Sequence, residues 1–136
     1  MDTDALLAQV DRESARINHA RAQLTLASLG LLAARVRADH PTARRVEMSF
    51  WANAREGASR AVPGRVWLPD AGPAGRWRAW LDADARAELE SLCVHITPDA
   101  RSLWPTLWVD DPATGLTVVD LDAVTAAVGR AEPNRG

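Results

Sequence analysis

Four aspartates in the C-terminal third of the sequence are the residues whose type and spacing could form a metal site. Asp110, Asp111, Asp120 and Asp122 lie within thirteen residues, and carboxylate oxygens are the ligands that Mg²⁺ and Ca²⁺ prefer. However, the stretch Asp-Pro-Ala-Thr-Gly at 111–115 has the residues of a tight hairpin loop. Asp suits the first position, Pro fixes φ at the second, and Gly accepts a positive φ at the end.

Pairing across that hairpin argues against a shared cation. If Asp110 faces Leu116, then Asp110 and Asp120 are four residues apart along the strand, which is roughly 13 Å. Metal–oxygen bonds are only about 2.0–2.6 Å long. We therefore interpret Asp122 as the cap of the last helix, with Asp120 just before it, and we predict no metal site.

A thiol and an imidazole two residues apart invite a catalytic interpretation. Cys93 and His95 would share a face on a strand but not on a helix, and the spacing of Leu89 and Leu92 favours a helix there. We therefore interpret Cys93 as a small core residue and His40 as support for the end of the first helix. The sequence predicts no catalytic residue and no cofactor.

The composition excludes several kinds of chemistry. All sixteen basic residues are Arg, Tyr is absent, and Cys93 is the single cysteine. A P-loop lysine, a Schiff-base lysine and a tyrosine nucleophile are therefore excluded. So are an intrachain disulfide and a Cys-based zinc site.

Basic and aromatic residues are concentrated in the middle of the chain. Residues 41–81 carry seven Arg and three acids, whereas residues 82–136 carry four Arg and ten acids. Strand alternation places a set of these residues on one side, which we call the Arg/Trp face: Arg45, Trp51, Arg65, Trp67, Arg76, Arg78 and Trp80. Such a face suits single-stranded nucleic acid, because Arg holds phosphates and aromatic rings stack on bases. It equally suits a packed surface or a protein interface on which Arg stems cover Trp rings.

Residues 3–39 are predicted to form one long helix that begins at an Asp2 or Thr3 cap and ends before Pro41. Its apolar positions repeat at alternating intervals of four and three, the pattern of a coiled coil. We call these positions the heptad seam, in which Glu13 and the alanines weaken the apolar pattern: Leu6, Val10, Glu13, Ile17, Ala20, Leu24, Ala27, Leu31 and Ala34. Self-association is predicted through Leu6, Val10, Ile17 and Leu24.

The predicted helix is longer than a compact domain of this chain length is wide. It would span roughly 54 Å at 1.5 Å per residue, whereas a globule of this chain length is about 36 Å across. The helix must therefore either break, with Gly30 the candidate position, or overhang its domain and pack on another chain.

The remaining pattern predicts an α+β domain over residues 1–130, in the order α–βββ–α–ββ–α, with a frayed tail at 131–136. Helices pack on an antiparallel sheet of about five strands, one of which runs from Trp104 to Asp110. The predicted core is Val46, Met48, Phe50, Val66, Leu68, Leu89, Leu92, Leu107, Val109, Val119, Leu121, Leu31 and Leu32. In element order and size the chain resembles the class I chaperones of type III secretion, although no motif carries this resemblance.

These observations together predict a non-enzymatic protein-interaction module, adaptor or chaperone-like, that forms a homodimer through the N-terminal helix, through the Trp-rich face of the sheet, or through both. The alternative is a single-stranded nucleic-acid binder that uses the Arg/Trp face. The acidic N-terminal residues do not fit a signal peptide, and the most apolar run, residues 24–34, is too short to span a membrane. A cytoplasmic location without membrane association is expected.

Overall fold

A computed structural model describes residues 2–53, 58–69, 77–80, 82–110 and 117–131, with side chains described outside 51–53, 58–60 and 77–80. The helices are α1 (Thr3–Asp39), α2 (Ala83–Leu92), α3 (Ala100–Leu103) and α4 (Leu121–Ala131). The strands are β1 (Arg45–Asn53), β2 (Ala58–Trp67), β3 (Trp77–Trp80), β4 (Trp108–Asp110) and β5 (Thr117–Asp120). Short 3₁₀ turns occupy Cys93–His95 and Pro105–Leu107.

The predicted α+β class is confirmed, with a long N-terminal helix and an antiparallel sheet packed against helices. The finer prediction, the element order α–βββ–α–ββ–α, is corrected. The stretch predicted as a strand from Trp104 instead holds a 3₁₀ turn, and only Trp108–Asp110 is extended. An additional short helix, α3, precedes it, and β2 begins at Ala58 rather than near Arg65.

Helix α1 is continuous for 37 residues. The Asp2 carboxylate accepts hydrogen bonds from the backbone N–H groups of Asp4 and Ala5, which satisfies donors that have no partner within the helix. At the other end, the His40 N–H donates to the Val36 carbonyl. Of the two alternatives left open by the sequence, a break near Gly30 is therefore excluded.

The sheet has β1 at its centre, in the order β3-β2-β1-β5-β4. Val46 on β1 pairs with Val66 on one side and with Val119 on the other. The register with β2 shifts between Val46 and Met48, because Met48 pairs with Pro63. This bulge lets Pro63, which cannot donate a backbone hydrogen bond, lie within the strand.

The core lies between this sheet and the helices α1, α2 and α4. Of the predicted core residues, eight are buried: Val46, Met48, Val66, Leu89, Leu107, Val119, Leu121 and Leu32. Phe50, Leu68, Leu92 and Val109 are half-buried. Leu31 is exposed, so its assignment to the core is wrong. Cys93 is buried in the core as interpreted. Further core residues outside the predicted set are Leu26, Leu29, Ala33, Val36, Ile96, Ala100, Val124 and Ala127.

Polar contacts fix α1 on the rest of the domain. Arg35 donates to Glu88 of α2 and to Asp39, at 2.7 and 2.8 Å, and these two hydrogen bonds raise the pKa of the Arg35 guanidinium. Arg37 donates to Asp122 of α4.

In the described part of the chain, no helix is both long and apolar enough to cross a lipid bilayer.

Candidate functional site

Helix α1 has two halves with different environments. Every residue from Asp2 to Arg21 is exposed. Contact with the domain begins where the indole Nε1 of Trp104 donates to the Ala22 carbonyl at 2.8 Å and Arg21 pairs with Asp99. The N-terminal half of α1 therefore overhangs the domain, as the length argument requires.

The heptad seam is exposed along its whole length, including the half that lies on the domain. Its apolar members have exposed fractions of 43% for Leu6, 59% for Val10 and Ile17, 47% for Leu24 and 56% for Leu31. Single exposed apolar residues are common in proteins. Here five of them lie along one side of a single helix, and Glu13 interrupts the row between Val10 and Ile17.

Helix geometry places the seam on a different side of α1 from the core. Leu6 and Leu24 are eighteen residues apart, which is five full turns at 3.6 residues per turn, so they point in the same direction. Leu29, Leu32 and Val36, which are buried in the core, project from another side of the helix. The exposure of Leu31 follows from this geometry, because Leu31 lies on the seam.

At its C-terminal end the seam runs into a groove between α1 and α4. The groove has a volume of about 640 Å³, and we call it the α1/α4 groove. Small residues form much of the α1 wall, and α4 contributes the opposite wall. The lining residues are Ala27, Gly30, Leu31, Ala33, Ala34, Arg37, Thr125 and Val128.

Gly30 allows α4 to approach α1. A Cβ atom built on Gly30 would lie 3.0 Å from Val128 Cγ2, tighter than ordinary van der Waals contact. The glycine that the sequence analysis treated as a possible break is therefore a packing position. The groove itself was missed, although the small residues around Gly30 were a usable signal.

The Arg/Trp face is only partly covered by the described residues. Arg45, Arg65 and Trp67 have described side chains, and Arg45 alternates with Val46, so it projects to the side opposite the core. Arg76 lies outside the described residues, as do the side chains of Trp51, Arg78 and Trp80. Strand pairing places Trp51 across from Arg60 and Trp80 across from Arg65; Arg78 belongs to β3.

The described part of this face contains an ion pair that the sequence analysis missed. Arg65 donates through Nε and Nη2 to Glu47 Oε2, at 3.2 and 3.0 Å. The Glu47 side chain is only 9% exposed, because it packs over the bulge at Gly64, where any added Cβ would overlap Glu47 Oε1. Much of the positive charge of Arg65 is therefore compensated within the sheet.

Arg45 and Trp67 form the remaining described contact on this face. The Arg45 guanidinium lies 5.5 Å from the centre of the Trp67 ring, within the range of a cation–π interaction. Both side chains are half-buried. This is the stacking of an Arg stem on an indole that was one of the two interpretations drawn from the sequence.

Trp104 and Trp108 do not extend this face. Trp104 lies in a bend and anchors to α1 through Ala22. Trp108 is buried and packs on Phe50, with ring centroids 5.8 Å apart. Its indole N–H is buried and has no hydrogen-bond partner among the described residues. Burial of this donor therefore costs the free energy of its desolvation.

The aspartates have separate structural partners. Asp110 pairs with Thr117 rather than Leu116 in the hairpin register and accepts from Arg101 at 2.9 Å. Asp120, and not Asp122, caps α4 by accepting from the Ala123 N–H at 3.1 Å. Asp122 instead pairs with Arg37. Asp111 and the predicted hairpin loop lie outside the described residues.

No group of three or more His, Cys, Asp or Glu side chains suited to a metal ion occurs among the described residues. Cys93 is buried in the core and His95 is exposed, so the two side chains lie in different environments. They belong to a 3₁₀ turn rather than to the helix predicted there.

No family model, curated protein or solved structure matches this chain. The heptad seam with the α1/α4 groove, and the Arg/Trp face, are therefore the features from which its function is inferred.

Proposed function

We propose that this chain is a non-enzymatic protein-interaction module, adaptor or chaperone-like, that forms a homodimer through the heptad seam of α1. The exposed seam on an overhanging helix is the observation that carries the proposal. The overhanging half of α1 gains little from its own domain, because most helical stability in proteins comes from packing of an apolar face and residues 2–21 are exposed. A second chain supplies that packing.

The expected strength of association follows from the apolar surface. Each dimer would bury ten large seam side chains, five from each copy, that are now about half exposed. Completing the burial of each contributes about 1 kcal/mol, or on the order of 10 kcal/mol before the cost of association, which is about 4–15 kcal/mol. The net gain is at most about 6 kcal/mol, so the expected result is a weak dimer that forms at tens of micromolar and dissociates on dilution.

Size-exclusion chromatography with light scattering tests this proposal. A dimer at tens of micromolar that becomes a monomer on dilution supports it. A monomer throughout the concentration series removes the self-association on which the proposal rests.

The alternative function is binding of single-stranded nucleic acid at the Arg/Trp face. Arg45 and Trp67 lie side by side on this face and are the residue types that such a ligand uses, although here they pack on each other. The pairing of Arg65 with Glu47 weakens it, because a phosphate would have to compete with a buried carboxylate. Self-association is therefore the better-supported function, and the cytoplasmic location stays a prediction.

A further inference from the structure

We propose that the two copies associate antiparallel, so that the overhanging end of one α1 lies in the α1/α4 groove of the other. This inference rests on the proposed function and specifies its geometry. Three features of the described residues support it: the shape of the groove, the sizes of the seam residues and the charges at the two ends of α1.

The α1 wall of the groove has the residue spacing of a hole in a coiled coil. A side chain in a coiled coil inserts into a hole formed by four residues of the facing helix. Ala27, Gly30, Leu31 and Ala34 have the spacing of such a hole on one helix face, and all four line the groove. Val128 packs on Gly30 and forms a side wall, while Ala27 and Ala34 are small and leave space for a leucine beside it.

Only an antiparallel partner can offer a bare helix to this hole. The groove is flanked by α4, and a parallel partner would bring its own α4 and domain to the same place. The overhang, by contrast, is exposed on all sides over residues 2–21 and has the diameter of a single helix, about 10 Å. The antiparallel arrangement therefore avoids a collision between domains and places Leu6 at the hole.

Residue sizes favour the same orientation. With Leu6 against the partner's Leu31, Val10 meets the partner's Ala27 and Ile17 meets the partner's Ala20. Glu13 meets the partner's Leu24, so a large residue faces a small one at Val10 and at Ile17. A parallel pair would set Ala20 against Ala20 and Glu13 against Glu13, which leaves gaps and opposes two like charges.

The charges of α1 are also distributed for antiparallel pairing. Residues 2–13 carry four acids and one Arg, for a net charge of −3, whereas the end of α1 and the residues after it, 35–44, carry three Arg and one Asp, for +2. Part of this positive charge is already paired, because Arg35 contacts Glu88 and Arg37 contacts Asp122. Antiparallel association places each acidic end beside a basic end of the other copy. Parallel association places like ends together.

Distances between spin labels test the orientation. In a Cys93→Ala background, Thr3→Cys and Ala38→Cys place labels at exposed positions near the two ends of α1. Antiparallel pairing predicts about 46 Å between the two Thr3 labels, from thirty-one residues at 1.5 Å each. A mixed dimer of the two variants should give less than about 25 Å between a Thr3 label and an Ala38 label, since paired helices lie 8–10 Å apart.

The outcomes separate this inference from the proposed function. Light scattering on each labelled variant establishes first whether a dimer is present, and a monomer contradicts the proposed function itself. A dimer with a short Thr3–Thr3 distance contradicts the antiparallel arrangement while leaving self-association intact. A dimer in which both distances are long places the interface elsewhere and overturns the inference.

Discussion

Glu47 of β1 and Arg65 of β2 form an ion pair on the face of the sheet that the sequence marks as a binding surface, with 3.0 Å between Arg65 Nη2 and Glu47 Oε2. The carboxylate is nearly buried and the guanidinium is about one-third exposed. Arg65 thus holds a structural carboxylate in place, and a change there tests stability as well as binding.

Replacing Arg65 with Met should lower the free energy of unfolding by about 2 kcal/mol, because it leaves the Glu47 carboxylate buried without this partner. The double change with Glu47→Gln should lose less than the sum of the two single changes, because both variants remove the same interaction. Urea unfolding of the four proteins measures the coupling. Additive losses would mean that the pair contributes nothing of its own.

Two glycines offer a matched test of packing. Gly64→Ala should destabilise the protein by about 1–3 kcal/mol, because its Cβ would displace the Glu47 carboxylate at the bulge. Gly129→Ala, in α4, meets nothing within 4 Å and should stabilise the protein by about 0.5–1 kcal/mol through helix propensity. Thermal unfolding compares them, and equal effects at both positions would contradict the described bulge.

The sequence predicts α1 well because its signals are local. The Asp2 cap, the seam spacing and Pro41 lie within or beside the helix, and the helix has the predicted bounds.

The strand β2 was predicted to begin near Arg65, and therefore too short, because Pro63 and Gly64 are typical of a loop. In the structure they lie at a bulge that allows the strand to continue.

Tertiary contacts explain the other differences. Aromatic residues favour strands, yet Trp104 lies in a bend because its indole reaches α1 at Ala22. The seam could be found from spacing alone. The groove beside it depends on Val128 packing at Gly30, and no pattern within a single helix contains that contact.

Two exposed valines permit a controlled test of the seam. Val10→Asp places a charge on the seam and should shift the monomer–dimer midpoint to at least about tenfold higher concentration, because a buried charge costs more than 1.4 kcal/mol. Val94→Asp is the control, since Val94 is also exposed but lies on a 3₁₀ turn away from α1's seam. Sedimentation velocity over a concentration series measures both midpoints.

Loss of association in both variants would indicate a general effect of added negative charge. No effect in either would contradict self-association through the seam. Circular dichroism confirms that each variant retains its helix content.

The nucleic-acid alternative makes a separate prediction. We expect the parent protein not to retard a single-stranded oligonucleotide, even at low salt, because Glu47 already pairs with Arg65. Retardation that weakens steeply as salt rises and disappears in the double variant Arg45→Ala with Trp67→Ala would reverse this conclusion. That variant leaves the Glu47–Arg65 pair in place, so a loss of binding would not reflect the loss of that pair.

Filling the α1/α4 groove should block association without unfolding the domain. Ala34→Trp adds a large ring at an exposed position on the groove wall, where it occupies the hole that would receive Leu6 of the second copy. Ala8→Trp is the control, because Ala8 is exposed and lies about 200° around α1 from Leu6, away from the seam. We expect Ala34→Trp to be monomeric at tens of micromolar and Ala8→Trp to remain dimeric, with similar thermal unfolding for both. If Ala34→Trp dimerised as the parent does, the groove would have no part in the interface, and association would have to use the overhanging half of the seam alone.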